Sequence, residues 1–179
     1  MILEKYNPFW INHFEAIKRE IEQVLGKNQY VIEHIGSTAV PNLDAKPIID
    51  IDIIYNDLNE LAFIQSRLEK IGYYHNGNQG IEDREVFKRN QDATHPILDN
   101  LKHHLYVCSA ESKALERHIL SRNYLRKNDE ARLHYQQLKH ECAERANQDR
   151  KVYQLLKEQL VNEFIDDIIA KEKKECSKF

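Results

Sequence analysis

An alternation of isoleucine and aspartate, PIIDIDIIY, most narrowly limits what this chain can fold into. From Ile48 to Tyr55 it predicts a β-strand, because β-branched residues dominate and side chains alternate between the two faces of a strand. Asp50 and Asp52 would then lie side by side on one face, while the intervening isoleucines enter a core. Two neighbouring carboxylates repel each other unless a cation lies between them, so the pattern predicts a divalent metal site. The alternative is an exposed sheet face with two solvated acids.

The residues before this strand predict another strand and a turn. Tyr30 to Ile35 is β-branched and apolar, and Gly36, Ser37 and Thr38 follow it. Backbone N–H groups at such a turn or helix start can hold a phosphate, because glycine allows close approach and hydroxyl groups add hydrogen bonds. A Gly-Ser pair alone usually indicates only a turn. Its position ahead of the two aspartates favours a phosphate-binding role.

Hydrophobic spacing and turn residues predict further elements in residues 1–108. Asp57, with Glu60 three residues later, is typical of a capped helix start, and Gly72 is typical of a helix end. The predicted elements are a helix at 8–25, strands at 30–35 and 48–55, a helix at 58–71, a hairpin turn at 75–80 with its return strand at 82–89, a loop at 90–100 and a strand at 103–108.

From residue 109 onward the chain contains neither proline nor glycine, and helical patterns dominate. Three helices are predicted, the third with the longest apolar stripe. We therefore predict a single domain over residues 1–179 with an α+β fold, in which a mixed β-sheet with flanking helices (1–108) carries a C-terminal helical subdomain (109–179) packed on it. The apolar positions of the three helices are Leu115, Ile119 and Leu120, then Leu133, Tyr135 and Leu138, then Val152, Leu155, Leu156, Leu160, Phe164, Ile165, Ile168 and Ile169.

Composition narrows the function classes. The 26 basic and 29 acidic side chains leave a formal net charge of −3, so we expect no whole-protein attraction to nucleic acid or to a membrane surface. No apolar run approaches the roughly 18 residues that a membrane helix needs, and no secretory signal layout is present. Cys108, Cys142 and Cys176 show neither zinc-site nor CxxC spacing. Reduced thiols and a cytoplasmic location are therefore expected.

Two residues near the acid strand in the predicted sheet add candidates for the site. His104 lies on the predicted strand 103–108, and alternation puts it on one face with Tyr106, opposite His103. No third acid accompanies the two aspartates there, so His104 is a candidate ligand or proton acceptor. A buried, hydrogen-bonded histidine is the alternative. Lys46 precedes the acid strand, where it either offsets phosphate charge or is simply solvated.

Other basic residues are candidates for phosphate contacts. Arg84 and Lys88 belong to the predicted hairpin, and they would reach a triphosphate only if the hairpin faces the aspartates. An ordinary solvated strand face is the alternative. Arg122 lies in the helical part and could reach back to a base or to phosphates, although most charges there are expected to be solvated. His34, just before the Gly-Ser turn, is predicted to support the turn by a hydrogen bond.

The Gly36-Ser37 pair, with twelve residues between it and Asp50-Ile51-Asp52, resembles the signature of the polymerase-β-like nucleotidyltransferase superfamily. Nearly the whole chain is similar to the GrpB family in particular. Three positions depart from that family's pattern, since Asn42 stands where glycine is usual, Asn123 where aspartate is usual, and Tyr106 where a second histidine is usual. The matching runs are Tyr6–Trp10, Ile32–Pro41, Ala45–Ile53 and His103–Val107, with further matches at Arg122, Tyr124–Arg126, Tyr135, Leu138–Lys139, Arg150, Tyr153 and Lys157.

The resemblance implies a nucleotidyltransferase-like mixed sheet and a Mg²⁺-dependent protein, with Mn²⁺ as an alternative cation, that binds a nucleoside triphosphate. It would transfer a nucleoside monophosphate to a hydroxyl group of an unknown acceptor. Asp50 and Asp52 would hold the metal. Gly36 and Ser37 would hold the phosphates, and His104 would assist the reaction.

The sequence is also compatible with two other functions. Without a third carboxylate, the chain could be a non-catalytic nucleotide-binding or regulatory module with the same cavity. It could also be a metal-dependent phosphohydrolase that uses water as the acceptor. The C-terminal helices could form either a lid or a homodimer surface, and the sequence does not choose between these.

Overall fold

The computed structural model of this protein describes residues 2–147 and 149–176, which form one five-stranded sheet and five α-helices. In these described residues, no helix combines the length and the apolar character that a membrane crossing needs. The strands are β1 Val31–Ile35, β2 Ile49–Tyr55, β3 Tyr73–His75, β4 Arg84–Arg89 and β5 His103–Ser109, and the helices are α1 Phe9–Leu25, α2 Leu58–Lys70, α3 Lys113–Lys127, α4 Asp129–Arg145 and α5 Arg150–Cys176, with a short 3₁₀ helix at Ser37–Ala39.

The strand order is β1-β2-β5-β4-β3, so the strand with the two aspartates lies inside the sheet. β2 pairs parallel with β5 and antiparallel with β1, while β4 pairs antiparallel with both β5 and β3. This register places His104 opposite Asp50 and Tyr106 opposite Asp52. The predicted mixed sheet, and the common face of His104 and Tyr106, are therefore confirmed.

The isoleucines of β2 explain why this strand takes an interior position. Ile49, Ile51 and Ile53 are at most 2% exposed, in a core cluster that also contains side chains of α1 and α2. Burying such a side chain contributes about 2 kcal/mol, so three of them strongly favour an interior strand. Because side chains alternate, Asp50 and Asp52 point to the opposite face of the sheet, where α3 contacts β1 and β5.

The start of α2 follows the predicted capping pattern. The Asp57 carboxylate accepts a hydrogen bond from Asn59 N at 2.8 Å, and the Glu60 carboxylate accepts one from Asp57 N at 3.1 Å. Reciprocal capping of this kind satisfies backbone donors that have no partner within the helix. The prediction of a helix beginning at residue 58 is confirmed.

A second core cluster joins the C-terminal helices to the segment before β2. Residues near the N-terminus and in the linker 40–43 pack against aromatic side chains of α3, α4 and α5. The three C-terminal helices therefore cover the acid-bearing side of the sheet and supply one wall of any site there. The main contributors are Ile2, Leu3, Val40, Leu43, Tyr124, Leu125, Tyr135, Tyr153, Val161 and Ile168.

The buried face of these helices differs only in part from the predicted one. Leu115, Tyr135 and Ile168 are buried as predicted. Leu133, Val152, Leu155 and Leu160 are exposed, although their spacing predicted burial. α4 instead buries the charged side chain of Lys139, which is 1% exposed. The physical reason is that these helices face a polar cavity, so charged residues occupy inward positions that hydrophobic spacing does not identify.

Candidate functional site

A cavity of about 700 Å³ lies between the acid-bearing face of the sheet and the C-terminal helices. The turn after β1, the linker before β2, strands β2 and β5, and helices α3, α4 and α5 all contribute side chains to it. Of the residues predicted to form the site, the structure brings five together on its wall. These are Ser37, Thr38, Lys46, Asp50 and His104.

Asp50 is the carboxylate that opens on this cavity. Its side chain is 28% exposed, and its Oδ1 atom accepts a hydrogen bond from Nδ1 of His104 at 2.9 Å. Its Oδ2 atom lies directly over Gly36, because a methyl group added to that glycine would be 2.5 Å from Oδ2. Gly36 has φ +72°, a conformation that favours glycine, so the turn and the carboxylate are packed together closely.

Asp52 is closed off from the cavity, although it shares a strand face with Asp50. Its side chain has no exposed area, and its Oδ2 atom accepts a hydrogen bond from Nδ1 of His118 at 2.9 Å. The Cys108 thiol donates to Oδ1 at 3.7 Å, and burial, together with the charge of Asp52, raises the pKa of that thiol. The predicted pair of open acids is therefore one open and one covered carboxylate, because α3 lies over Asp52.

The metal site predicted at Asp50 and Asp52 stays a prediction. Within residues 2–147 and 149–176, no group of three or more His, Cys, Asp or Glu side chains is arranged to hold a metal ion. Asp50 remains a donor of the kind that Mg²⁺ uses, since Mg²⁺ is commonly bound by one or two carboxylates together with substrate phosphates.

The turn after β1 is a single turn of 3₁₀ helix. Ser37 faces the cavity, and its Oγ atom accepts a hydrogen bond from Nζ of Lys139 at 3.2 Å. The hydroxyl group of Thr38 is buried, where it hydrogen-bonds to Nε2 of His34 at 3.0 Å and to the backbone oxygen of Ile48 at 3.4 Å. In this arrangement Thr38 ties the turn to the strands on either side, and its hydroxyl group faces protein groups.

His34 has the supporting role that the sequence predicted. Its ring stacks on Phe14 with centroids 4.8 Å apart, and it is bonded to Thr38. Burial, and next the positive charge of Arg126, lower the pKa of His34 to about 4. Below the usual histidine pKa of about 6.5, the unfolded chain binds a proton that the folded protein resists.

We therefore expect the stability of the protein to fall as the pH drops from 6.5 towards 4. Between pH 7.5 and pH 5 the His34 contribution amounts to about 2 kcal/mol of lost stability. Urea unfolding at both pH values checks this in the wild type and in His34→Gln, which retains a hydrogen-bonding side chain. The wild type should lose about 2 kcal/mol more than the variant over this interval. Equal losses in both proteins would contradict the prediction.

A cluster of four cationic side chains, from the linker before β2 and from α4 and α5, lines the cavity. It consists of Lys46, Lys139, Arg150 and Lys157. Burial, and next the charge of Lys157, lower the pKa of Lys139 well below its usual value, and burial, Lys157 and Arg150 lower the pKa of Lys46. The pKa of Lys157 is raised, first by Tyr135. Cations crowded together in this way favour an anionic ligand, which would relieve their mutual repulsion.

Three predicted phosphate contacts lie outside the cavity wall. The guanidinium group of Arg84 lies 4.8 Å from the centre of the Tyr106 ring, and Lys88 is exposed. Arg122 is 8% exposed, and its guanidinium group donates to Glu33 Oε2 at 2.5 Å and to a backbone oxygen of β1 at 2.8 Å. β4 lies one strand beyond β5, and Arg122 is used to join α3 to β1, so in this structure none of the three contacts the cavity.

His118 is a cavity residue that was not predicted from the sequence. This residue lies on α3, with 24% of its side chain exposed, and it lines the cavity while it bonds to Asp52. It lies three residues after the buried Leu115 and four before the buried Arg122, which is the spacing of one helix face. That spacing was the available signal, but most positions of α3 are polar and hide it.

Comparison with known proteins gives matches over nearly the whole chain. A family profile described as GrpB protein matches residues 1–167. The glutamate-rich protein GrpB of Alkalihalophilus pseudofirmus is 32% identical over 171 residues, covering 94% of this chain and 95% of that protein. The crystal structure of the conserved protein GrpB from Enterococcus faecalis is 31% identical with a TM-score of 0.76, covering 95% of this chain and 98% of that chain.

A more distant structural match is Cid1 poly(U) polymerase with bound MgGTP. It has a TM-score of 0.56 at 13% identity, covering 79% of this chain and 44% of the polymerase chain. Likeness at this level of identity concerns the fold. The α+β fold described above is therefore nucleotidyltransferase-like, as the central motif predicted.

Proposed function

This chain belongs to the GrpB family, and from that premise we propose that its cavity binds a nucleoside triphosphate with Mg²⁺ and transfers a nucleoside monophosphate to a hydroxyl acceptor. The observation that carries the proposal is the Asp50 carboxylate in one cavity with the cations Lys46, Lys139, Arg150 and Lys157. Lys102, Arg117, Glu4 and Glu158 also line this cavity, so cations outnumber carboxylates there. A triphosphate with a divalent cation matches this arrangement of charges, since its oxygens meet the lysines and arginine while the cation meets the carboxylate.

The size and chemistry of the cavity support a nucleotide. About 700 Å³ lies within the range usual for small-molecule sites, roughly 300–1,000 Å³. Lys139 donates to Ser37, so the turn and the cation cluster act on the same space. Lys46 also lies over the ring of Tyr153 at 4.4 Å, which holds its ammonium group at the cavity wall.

The fit to Mg²⁺ is through Asp50 alone. One edge of this carboxylate is held by His104 and the other lies over the glycine turn, beside the space that phosphates would enter. When bound, Mg²⁺ neutralises phosphate charge, and Mn²⁺ substitutes for it as a hard cation with oxygen ligands. Asp52, which is covered by His118, does not fit as a second ligand in this arrangement.

The chain's own residues would contribute positioning and electrostatic stabilisation. Ser37, Lys46 and Lys139 would hold the β- and γ-phosphates, where negative charge develops as pyrophosphate leaves. Charge that is fixed in place before the reaction stabilises the transition state without reorganisation. His104 keeps the Asp50 carboxylate in one orientation through its 2.9 Å hydrogen bond.

A non-catalytic nucleotide-binding module is the second candidate function. The observation that favours it is on β5, where His104 and Tyr106 occupy the two positions opposite the aspartates. Neither can supply a third carboxylate to the site. Such a protein would bind the same ligand in the same cavity and use occupancy, without turnover, to signal.

The test is to incubate the protein with Mg²⁺ and α-labelled nucleoside triphosphates, with and without a small-molecule cell extract. Labelled product that appears only with extract supports transfer. Labelled monophosphate formed without extract identifies a phosphohydrolase instead, and saturable binding without turnover identifies the module. Absence of any nucleotide binding would overturn the proposal.

Lys46 tests whether the cation cluster binds phosphate. We expect Lys46→Met to weaken binding of a triphosphate analogue about tenfold or more, because one charge-assisted contact contributes roughly 1.5–3 kcal/mol. Lys88→Met is the matched control, since it removes the same charge from an exposed position outside the cavity. Calorimetric titration of both variants measures the affinities. Similar affinities for the two variants would contradict the assignment.

A further inference from the structure

We infer that Asp52 is not a metal ligand in this protein but the anchor of His118, and that His118 is the residue that takes the proton from the acceptor hydroxyl group. The second half of this inference rests on the proposed nucleotidyl transfer, whereas the first half does not. In this assignment His118 is a catalytic residue and Asp52 is a positioning residue.

The surroundings of Asp52 support its role as an anchor. Its side chain has no exposed area, and both of its oxygens face protein donors, His118 Nδ1 at 2.9 Å and the Cys108 thiol at 3.7 Å. A cation would have to displace a charge-assisted hydrogen bond and move α3 to reach this carboxylate. Asp50, two residues earlier, is 28% exposed and needs no such movement.

The position of His118 supports its role in proton transfer. A carboxylate only accepts hydrogen bonds, so the Nδ1 atom that faces Asp52 carries the hydrogen, and in the neutral form of the ring Nε2 then carries none. Nε2 lies on the edge of the ring turned away from Asp52, and the ring lines the cavity that Asp50 also lines. A buried aspartate that sets the tautomer of a histidine in this way prepares it to accept a proton.

His104 is less suited to this step, although it was the histidine predicted from the sequence. Its Nδ1 atom bonds to Asp50, the carboxylate assigned to the cation, so movement of this ring would disturb that carboxylate. Its side chain is 54% exposed, whereas that of His118 is 24% exposed. Asp52, which holds His118, has no other role in this scheme, whereas Asp50, which is bonded to His104, is assigned to the cation. His118 is therefore the better candidate for the proton acceptor.

The oxygen of the acceptor hydroxyl group forms a bond to the α-phosphorus as its O–H bond breaks, and the proton moves to Nε2 of His118. The bond from the α-phosphorus to the bridging oxygen breaks, and its electron pair leaves with pyrophosphate. His118 then releases the proton to solvent as the products depart.

The first experiment concerns the anchor and needs no turnover. Ring ¹⁵N NMR of the resting wild type should show His118 with its hydrogen on Nδ1, and Asp52→Asn should lose this preference. Mn²⁺ titration, followed by electron paramagnetic resonance with an α,β-methylene triphosphate, should give one Mn²⁺ per chain in the wild type and in Asp52→Asn. Three results would overturn the assignment of Asp52 as the anchor of His118. They are a hydrogen on Nε2 of His118 in the wild type, binding of two Mn²⁺ per chain, and loss of Mn²⁺ binding in Asp52→Asn.

The second experiment concerns the proton acceptor. His118→Asn places an amide donor near the Nδ1 position but has no counterpart of Nε2. We expect it to retain analogue and Mn²⁺ binding while kcat falls about 100-fold or more with little change in KM, as for loss of a general base. Turnover at the wild-type rate, or loss of Mn²⁺ binding, would overturn this role. If the wild type binds the analogue but forms no product from a nucleoside triphosphate, both the proton-acceptor role of His118 and the nucleotidyl transfer are overturned. The NMR and Mn²⁺ results would still decide whether Asp52 anchors His118.

Discussion

Replacing Asp50 by asparagine is expected to abolish triphosphate-dependent cation binding and to reduce turnover about a thousandfold or more, since a metal ion contributes several kcal/mol to the transition state. Asparagine has nearly the same shape and can still accept the hydrogen bond from His104, which is 2.9 Å long in the wild type. The change therefore removes charge while it leaves the turn and the sheet register in place. Mn²⁺ titration and the labelled-triphosphate assay measure the two losses.

The matched control for Asp50→Asn is Asp129→Asn. Asp129 lies at the start of α4, with 80% of its side chain exposed, so the same change in charge is made at a residue that does not line the cavity. We expect this control to bind Mn²⁺ and the triphosphate analogue as the wild type does. If Asp50→Asn binds cation and analogue normally, the assignment of the open carboxylate is wrong and the cavity serves another ligand.

Replacing Gly36 by alanine is expected to have the second large effect. The residue has φ +72° and ψ −169°, a region that is essentially restricted to glycine and costs other residues roughly 1–3 kcal/mol. The new methyl group would also lie 2.5 Å from Asp50 Oδ2 and 3.2 Å from Asp50 Cβ. The carboxylate must rotate away, so we expect a loss of about 2 kcal/mol of stability together with loss of cation binding.

Gly77→Ala separates backbone strain from the collision. Gly77 also has positive φ, +70°, but a methyl group there would meet no atom within 4 Å. Urea unfolding should show a loss of roughly 1 kcal/mol for this control, with cation binding unchanged. If Gly36→Ala binds Mn²⁺ as tightly as the wild type does, the close packing of the turn against Asp50 has no functional role.

Individual strands and helix ends of this protein were predictable from short-range sequence patterns. The strand around Asp50 and Asp52 was predicted from side-chain alternation, and the start of α2 from the spacing of Asp57 and Glu60. Both signals depend on neighbouring residues within one element, so they do not require knowledge of the rest of the fold. The cavity residues Ser37 and Asp50 were found for the same reason, because they belong to one continuous motif.

The inward faces of the C-terminal helices were only partly predictable from hydrophobic spacing. Hydrophobic spacing predicted burial of Leu133 and Leu155, which are exposed, while Lys139 is buried against the turn. A helix that faces a charged cavity does not follow the apolar pattern that marks a core-facing helix. Arg122 was a candidate for contact with a base or phosphates for a related reason, since the sequence cannot show that its guanidinium group joins α3 to β1.

By itself, the sequence determined the central strand, the glycine turn and the acid at the site, because short-range sterics and side-chain alternation act between near neighbours. Only the tertiary structure decided which of the two acids stays open. That outcome depends on α3, more than 60 residues further along the chain, which brings His118 over Asp52 and leaves Asp50 uncovered. Contacts between residues so far apart are set by how whole helices pack on the sheet, and no local pattern around either residue records them.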